Sequence, residues 1–219
     1  TRWTGDWSSD VCSSDLDSPH RLDPRIARSE TAIRNALLEQ LRSGRNFNSL
    51  TVSEIAEHAN VTRKTFYARV GSLDQLVERM VLDLFKEISS QIDDRMLIMP
   101  VVGNTLSIMV LGQCEEHKAV LAPLVRRCSA SLFMEPLSEV LAHMLARVTE
   151  VNQTPKLEPV EQAYLVAAIA SIIHGVLWVW VKRGFCETPD RIANFVDTLL
   201  VEGLQKIMQA GGSKPASST

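Results

Sequence analysis

Residues 51–70 read TVSEIAEHANVTRKTFYARV and predict two short helices joined by a tight turn. Thr51 and Glu54 form a capping box at the start of the first helix, because each side chain can bond the backbone N–H of the other residue. Asn60 interrupts the helical pattern, and Thr62 then supplies an N-cap for a second helix. The stretch therefore predicts a helix, a turn and a second helix in quick succession.

This arrangement is the helix-turn-helix pattern, in which the second helix enters the major groove of DNA with its N-terminal residues against base edges. Ala56 is small where the two helices approach, and Phe66 and Val70 lie four residues apart on the inward face of the second helix. The residues left on its outward face are Arg63, Lys64, Thr65, Ala68 and Arg69. Hydroxyls and helix N-termini suited to phosphate oxygens occur at Thr51, Thr62 and Ser72. Spacing alone also allows a helical hairpin with a solvated basic face.

The flanking sequence predicts further helices on both sides of this stretch. Asp23 is a good N-cap, and Pro24 fits the first position of a helix whose apolar residues recur at helical spacing up to Leu41. Ser72 caps a fourth helix, and Gln75 predicts a second capping box there. Later helices are predicted at approximately 100–112, 115–126, 130–150, 159–183 and 189–209. Prolines punctuate this part of the chain at Pro100, Pro123, Pro155, Pro159 and Pro189. No strand pattern is convincing, so the predicted fold is all-α.

Composition divides the chain into four parts. Residues 1–20 are rich in Ser and Asp and lack periodicity, so they are predicted to be disordered, as either a non-native extension or an acidic arm. Residues 21–72 are predicted to form the helix-turn-helix domain, and residues 73–210 a second helical domain. Residues 211–219 are low in complexity and are predicted to be a mobile tail.

Positive charge is concentrated in the predicted helix-turn-helix domain. The 219-residue chain has a net charge of −3, but residues 21–70 hold nine Lys and Arg against five Asp and Glu. A basic block beside an acidic remainder is expected where that block alone contacts a polyanion.

No catalytic, metal or cofactor site is predicted. The four cysteines are widely spaced, which indicates reduced thiols rather than a metal or disulfide framework. His117, His143 and His174 lie far apart, and no pair has metal-ligand spacing. The sequence shows no Ser/His/Asp set, paired carboxylates or phosphate-binding loop, so we expect a protein that is not an enzyme. No secretory signal is visible, and the expected location is the cytoplasm.

Residues 163–181 (AYLVAAIASIIHGVLWVWV) are almost continuously apolar and approach the length that spans a bilayer. Ser171, His174 and Gly175 fall near the middle, and histidine suits a bilayer centre poorly. A helix that is apolar all round can equally be buried in a core or between subunits, which is the interpretation we favour. Because the run is too long to bury within one subunit of this size, a homodimer through residues 159–209 is predicted.

Three stretches carry a family resemblance. RIARSETAIRNALLEQL (25–41) and LTVSEIAEHANVTRKTFYARVGSLDQL (50–76) resemble the N-terminal domain of the TetR/AcrR family of transcriptional regulators. HGVLWVWVKRGFCETPDRIANFVDTLL (174–200) looks like the last two helices of many members. The resemblance implies an all-α homodimer with a three-helix DNA-binding domain and a C-terminal dimerisation and ligand-binding domain. It implies a repressor on a palindromic duplex DNA operator, released by a small-molecule effector, with no membrane partner.

The resemblance also implies site residues. By position, the DNA-contacting candidates are Thr51, Ser53, Thr62, Arg63, Lys64, Thr65, Tyr67 and Arg69. Arg63 and Lys64 are best placed for base edges, whereas Tyr67 and Thr51 suit phosphates. The family usually has an aromatic residue at position 70 and a lysine at 73, where this chain has Val70 and Leu73, so one phosphate contact is missing.

The second domain is expected to bind a small, largely apolar effector among its central helices. The expectation comes from its supply of Met, Phe and Trp, since methionine-rich walls suit adaptable apolar pockets. The candidate ligand contacts are Met96, Met109, His117, Phe133, Met134, Met144, His174 and Trp178. Trp178 and Trp180 are two residues apart on a helix and cannot both face inward.

Two other classes of protein remain open at this point. One is a helical adaptor that binds only protein, which would show no salt-sensitive binding to duplex DNA. The other is a recombinase-type enzyme with an appended helix-turn-helix, which would need clustered polar groups that the remaining helices lack.

Overall fold

A computed structural model describes residues 24–99 and 104–198, and these residues form helices and no strand. The all-α prediction is confirmed. The helices are α1 (Pro24–Arg42), α2 (Val52–His58), α3 (Arg63–Val70), α4 (Leu73–Ser90), α5 (Thr105–Glu116), α6 (Lys118–Arg127), α7 (Ser131–Val151), α8 (Pro159–Lys182) and α9 (189–198). Short 3₁₀ turns cover Phe47–Ser49 and Asp94–Leu97. The predictions for residues 1–20, Asp23, Pro100 and 199–219 lie outside the described residues.

The caps around the helix-turn-helix are mostly those predicted. At α2, the Thr51 hydroxyl accepts from the Glu54 N–H at 3.3 Å, and the Glu54 carboxylate accepts from the Thr51 N–H at 2.9 Å, which completes the capping box. At α4, the Ser72 hydroxyl accepts from the Gln75 N–H at 3.1 Å, but the return bond is absent. The Ser72 N–H donates instead to the Val70 carbonyl at 3.0 Å. The second capping box was therefore a wrong prediction, because the turn itself uses that donor.

Two prolines lie inside helices of the described part of the chain. Pro123 lies within α6, as it does within the predicted helix 115–126, and Pro136 lies within α7. A proline inside a helix leaves the carbonyl four residues earlier without its backbone donor. For Pro123 that carbonyl belongs to Ala119, and it accepts a 2.7 Å hydrogen bond from the Arg42 side chain of α1. A bond from another helix therefore lets α6 continue through the proline.

One apolar core runs through the described part of the chain. It begins with Ile33 on α1, includes Phe66 on α3 and continues to Ala193 on α9. Helix α4 packs along α7, and α7 packs along α8, while α1 contacts both α2 and α6. The three helices α1–α3 are therefore attached to the larger helical body through α4, which contacts α3, and α6, which contacts α1.

Residues 183–188, between α8 and α9, form a tight turn. The Trp180 side chain is buried, stacks edge-on against Phe185 with ring centroids 4.8 Å apart, and donates to the Glu187 carbonyl at 2.9 Å. Gly184 and Phe185 both have positive φ, +73° and +58°, which turns the chain toward α9. Trp178 is 44% exposed. The prediction that only one of the two tryptophans faces inward is confirmed.

Candidate nucleic-acid interface and internal cavity

Helix α3 presents its basic residues to solvent. Its inward face is held by Phe66 and Val70, which are 0% and 2% exposed. Arg63 and Lys64, in its first turn, are exposed, and Tyr67, one turn further on, is 56% exposed. The ion pairs found within residues 24–99 and 104–198 include neither of the two cations. A helix with one buried face and two unpaired cations at its start is suited to enter a DNA groove.

The Thr51 and Thr62 hydroxyls, which were predicted to contact phosphates, are already hydrogen-bonded as helix caps. The Thr51 hydroxyl donates to the Glu54 carboxylate at 2.8 Å, and the Thr62 hydroxyl lies 2.9 Å from the Thr65 hydroxyl. Thr62 also accepts from the Thr65 N–H at 3.1 Å. The caps orient the first turns of α2 and α3, whose free N–H groups are themselves anion-binding groups. Ser53 is partly buried within the first turn of α2.

Arg69 is placed differently from the other candidates. Its side chain is partly buried and lines a cleft of about 460 Å³ between α3, α4 and α7, together with Arg79, Glu135 and Glu139. Its Nε atom is buried and has no hydrogen-bond partner within the described residues. Its carbonyl accepts from the Arg79 side chain at 3.0 Å. Arg69 therefore faces the junction with α7, where a DNA contact would need its side chain to move.

Arg45 is a residue that the sequence reasoning missed. Its guanidinium donates to the Glu54 carboxylate at 2.9 Å and to the Ser49 carbonyl at 3.2 Å, which joins the loop after α1 to the start of α2. The hydrogen bond from Arg45, followed by those from Thr51, holds the pKa of Glu54 below its usual value. An arginine nine residues before a capping-box glutamate was the available signal.

A cavity of about 250 Å³ lies between α4, α5, α7, α8 and α9. Its wall is almost entirely aliphatic, with residues such as Ile88, Val110, Leu141, Met144 and Val176. Cys114 also lies on the wall, and burial raises the pKa of its thiol to about 12, so the thiol is neutral at physiological pH. A concave, apolar space among several helices is a typical binding site for a small molecule.

Only one of the eight predicted ligand contacts, Met144, lines this cavity. Phe133 is buried in the core beside His174, with ring centroids 5.3 Å apart, and Trp178 faces outward under the ammonium group of Lys182. The candidates found outside the cavity wall are Met96, Met109, His117, Phe133, Met134, His174 and Trp178. The supply of Met, Phe and Trp directed the prediction to most of these residues, whereas the wall is built mainly from the inward Leu, Ile and Val side chains of the helices.

In the described part of the chain, no group of three or more His, Cys, Asp or Glu residues is arranged to hold a metal ion. The described cysteines Cys114, Cys128 and Cys186 are free thiols.

The sequence of the helix-turn-helix matches a known family. Residues 38–80 match the model of bacterial regulatory proteins of the tetR family. Residues 38–80 of this chain are therefore similar to the DNA-binding domain of tetR-family regulators. The matched segment runs from the end of α1 through α2 and α3 into α4, so it contains both capped helices and the exposed cations.

A curated helix-turn-helix regulator is also similar to part of this chain. The HTH-type transcriptional regulator YxbF of Bacillus subtilis is 28% identical over 61 residues, which are 28% of this chain and 16% of that protein. The chain thus matches about a sixth of the relative's length.

Solved structures share the fold over most of the chain. Lin0861 from Listeria innocua superposes with a TM-score of 0.65 at 16% identity, covering 87% of this chain and 96% of that one. A TetR transcriptional regulator from Streptococcus agalactiae gives 0.55 at 21% identity, covering 80% and 95%. NalD of Pseudomonas aeruginosa gives 0.51 at 17% identity, covering 83% and 98%. The helical body that follows the tetR-family domain therefore has the fold of these proteins.

Proposed function

We propose that this protein is a sequence-specific DNA-binding transcription regulator, and that it acts as a repressor released from a palindromic operator by a small apolar effector. The observation that carries the proposal is the pair Arg63 and Lys64, exposed and without ion-pair partners in the described residues, at the start of a helix docked by Phe66. The tetR-family match over residues 38–80 supports it. NalD, which shares the fold, is described as a repressor of a multidrug efflux pump.

We assign the DNA contacts by exposure. Arg63 and Lys64 reach base edges, and Tyr67 donates its phenol hydroxyl to a phosphate, because it lies one turn away on the same helix. Thr51, Ser53, Thr62, Thr65 and Ser72 sit at helix starts, where backbone N–H groups bind phosphate oxygens. Arg69 contacts DNA only if it leaves its cleft against α7.

The dimer forms through α8 and α9. Exposed apolar side chains on one side of α8 include Val160, Tyr164 and Trp178, and Phe195 of α9 is also exposed. By length and composition α8 could cross a membrane, and 28% of its most apolar window is buried inside the chain. Most of this apolar window is therefore left uncovered by the chain itself. Covering this face with a second copy gives the symmetric pair that a palindromic operator requires.

The regulator performs no catalysis and resides in the cytoplasm with the DNA. Its described part offers a groove-reading helix and an apolar cavity, which are binding features rather than a set of reacting groups. The effector occupies the cavity beside α4, the helix that directly follows the helix-turn-helix.

A selection and a titration test this function. The full chain is used to enrich sites from a randomised duplex pool, and binding to an enriched site and to random DNA is measured at two salt concentrations. We expect enrichment of a palindrome, and weaker binding to both DNAs at higher salt because released counterions drive association. DNA binding without enrichment of any site would show that the protein binds DNA without sequence specificity. Absence of salt-sensitive DNA binding would favour a protein-binding adaptor.

A further inference from the structure

We infer that the cavity beside α4 takes an uncharged aliphatic molecule and excludes ligands that would bury a carboxylate or an ammonium group. The inference rests on the proposed function, since it names the chemical class of the effector. It follows from the charges, hydrogen bonds and ring content of the cavity wall.

The described wall contains no ionisable side chain other than Cys114. The aliphatic residues of α4, α5, α7 and α8 surround a space of about 250 Å³, and none of the described lining residues is Asp, Glu, Lys, Arg or His. An ion moved from water into such a space loses its hydration and gains no counter-ion. A ligand with its charged group inside this wall is therefore bound much more weakly than a neutral one of the same size.

The polar atoms on the wall already have partners. The Ser89 hydroxyl donates to the Lys86 carbonyl at 2.9 Å, and the Ser107 hydroxyl donates to the Asp197 carboxylate. The Cys114 thiol is buried and protonated. The other oxygen of Asp197 is buried without a partner in the described residues, but Asp197 stands behind Ser107 and outside the cavity wall. The hydrogen-bonding groups on the wall itself are weak or occupied, so a polar ligand would leave its own donors and acceptors unpaired.

The cation at one end of the cavity is also committed. Arg147 lies between the lining residues Met144 and Val148 on α7. Its Nη2 atom donates to the Ile92 carbonyl at 2.8 Å and to the Asp94 carboxylate at 2.5 Å, and its Nη1 atom approaches the Ser89 carbonyl at 3.3 Å. A fatty carboxylate would have to break these bonds to recruit Arg147.

The ring content points to an aliphatic ligand. Phe85 is the one aromatic residue on the described wall, which otherwise consists mainly of Leu, Ile, Val and Met side chains. Flat aromatic ligands and organic cations are usually held by several rings or by a ring beside a carboxylate. Flexible aliphatic side chains such as Met144 instead adapt to an irregular hydrocarbon surface.

Three probes with the same tail separate the charge classes. Binding of 1-octanol, octanoate and octylamine to the full DNA-free protein is measured by calorimetry at pH 7, where the last two are ionised. We expect 1-octanol to bind roughly tenfold or more tightly than either ion, because only the ions lose uncompensated hydration. 2-Phenylethanol should also bind less well than 1-octanol. Tighter binding of either ion, or no binding of 1-octanol, would overturn the inference, the second result meaning that the chain itself fills the space.

Two methionines on α7 provide a matched pair of variants. Met144 lines the cavity, whereas Met134 is partly buried elsewhere on the same helix. Met144→Lys places a cation in the wall and should make octanoate the preferred probe, while Met134→Lys should leave the order unchanged. If Met144→Lys does not fold, Val176→Phe fills the space and should weaken 1-octanol binding at least tenfold. An unchanged order in folded Met144→Lys, or unchanged affinity in Val176→Phe, would place the ligand elsewhere.

These measurements use no DNA, so they fail separately from the proposed function. If the protein binds 1-octanol but does not bind duplex DNA, the proposed ligand class stands and the proposed role as a DNA-binding regulator is wrong. If the protein binds DNA specifically but prefers octanoate, the proposed role as a regulator stands and the proposed ligand class is wrong.

Discussion

The guanidinium of Arg42 donates a 2.7 Å hydrogen bond to the carbonyl oxygen of Ala119, which joins α1 to α6. Pro123 lies four residues after Ala119 and has no N–H, so the arginine replaces the helical donor that the carbonyl lacks. Near the other end of α6, Arg126 donates to the Val181 carbonyl of α8 at 2.6 Å. Helix α6 is thus bonded both to α1, which packs against α2 and α3, and to α8, which carries the proposed dimer face.

The Arg42 bond should depend energetically on Pro123. Arg42→Ala should lower the free energy of unfolding by roughly 0.5–1.5 kcal/mol, the usual net value of one hydrogen bond. In a Pro123→Ala background the same change should cost less than half as much, because the substituted alanine restores a backbone N–H to the Ala119 carbonyl. Urea unfolding of the four proteins in a double-mutant cycle measures the difference. Equal costs in both backgrounds would show that the proline does not create the need for Arg42.

Base-reading and phosphate-binding residues should separate in titrations. Arg63→Ala and Lys64→Ala should each weaken binding to the selected site by about 1–3 kcal/mol and binding to random DNA by less, because base contacts carry the sequence information. Tyr67→Phe should weaken both alike, since it removes a phosphate donor. Titrations of each variant against both DNAs, at one salt concentration, measure this. Equal losses on the two DNAs for Arg63→Ala would reassign Arg63 to the phosphates.

The DNA-binding unit was predictable because its signals are local. Thr51 and Glu54 each bond the backbone N–H of the other within one turn of α2. The four-residue spacing of Phe66 and Val70 indicates which face of α3 is buried. The partial failure at Ser72 is also local: its N–H was taken by the Val70 carbonyl, an option that a pattern of residue types does not reveal.

The cavity was not predictable in detail because its wall is assembled from distant helices. Ile88, Val110 and Val176 come from α4, α5 and α8, and each looks like an ordinary core residue in its own helix. Phe133 and Trp178 looked more distinctive, but one was needed in the core and the other lies on the surface. An empty space depends on how helices pack, and sequence periodicity reports only which face is buried.

The apolar face of α8 should be the dimer seam. Trp178→Asp should shift the protein from dimer to monomer at micromolar concentration while leaving its helicity unchanged, because it would bury a charge between two copies. Ile98→Asp is the control, since Ile98 is 56% exposed and lies outside α8 and α9. Light scattering measures the mass of each. A monomeric parent protein, or a dimer that tolerates Trp178→Asp, would place the interface elsewhere.

His174 should make the fold sensitive to mild acid. Burial against the core lowers the pKa of His174 below its usual value of 6.5, so the unfolded chain takes up this proton first. Stability from this group is present above about pH 6.5, is lost as pH falls toward the folded pKa, and changes no further below it. His174→Gln should flatten the dependence of unfolding free energy on pH in that window. An equal slope in His174→Gln and the parent would contradict the assignment.

Leu73→Lys should add a phosphate contact to the DNA-binding unit. Leu73 is the first residue of α4, directly after the Ser72 cap, where helix N–H groups favour an anion. A lysine there should steepen the plot of log K against log[salt] by about 0.9, the increment for one more neutralised phosphate. The gain should be nearly equal on the selected site and on random DNA, because a phosphate contact does not read sequence.

The same substitution should also cost stability, and a control separates the two effects. Leu73 is partly buried against the main core, so losing its side chain should lower the free energy of unfolding by about 1 kcal/mol. Leu73→Gln removes the same packing without adding charge, and it should show a similar loss in thermal melts with the salt slope of the parent. If Leu73→Lys and Leu73→Gln have the same slope of log K against log[salt], the side chain at position 73 points away from the DNA backbone. Leu73 would then contribute only to packing.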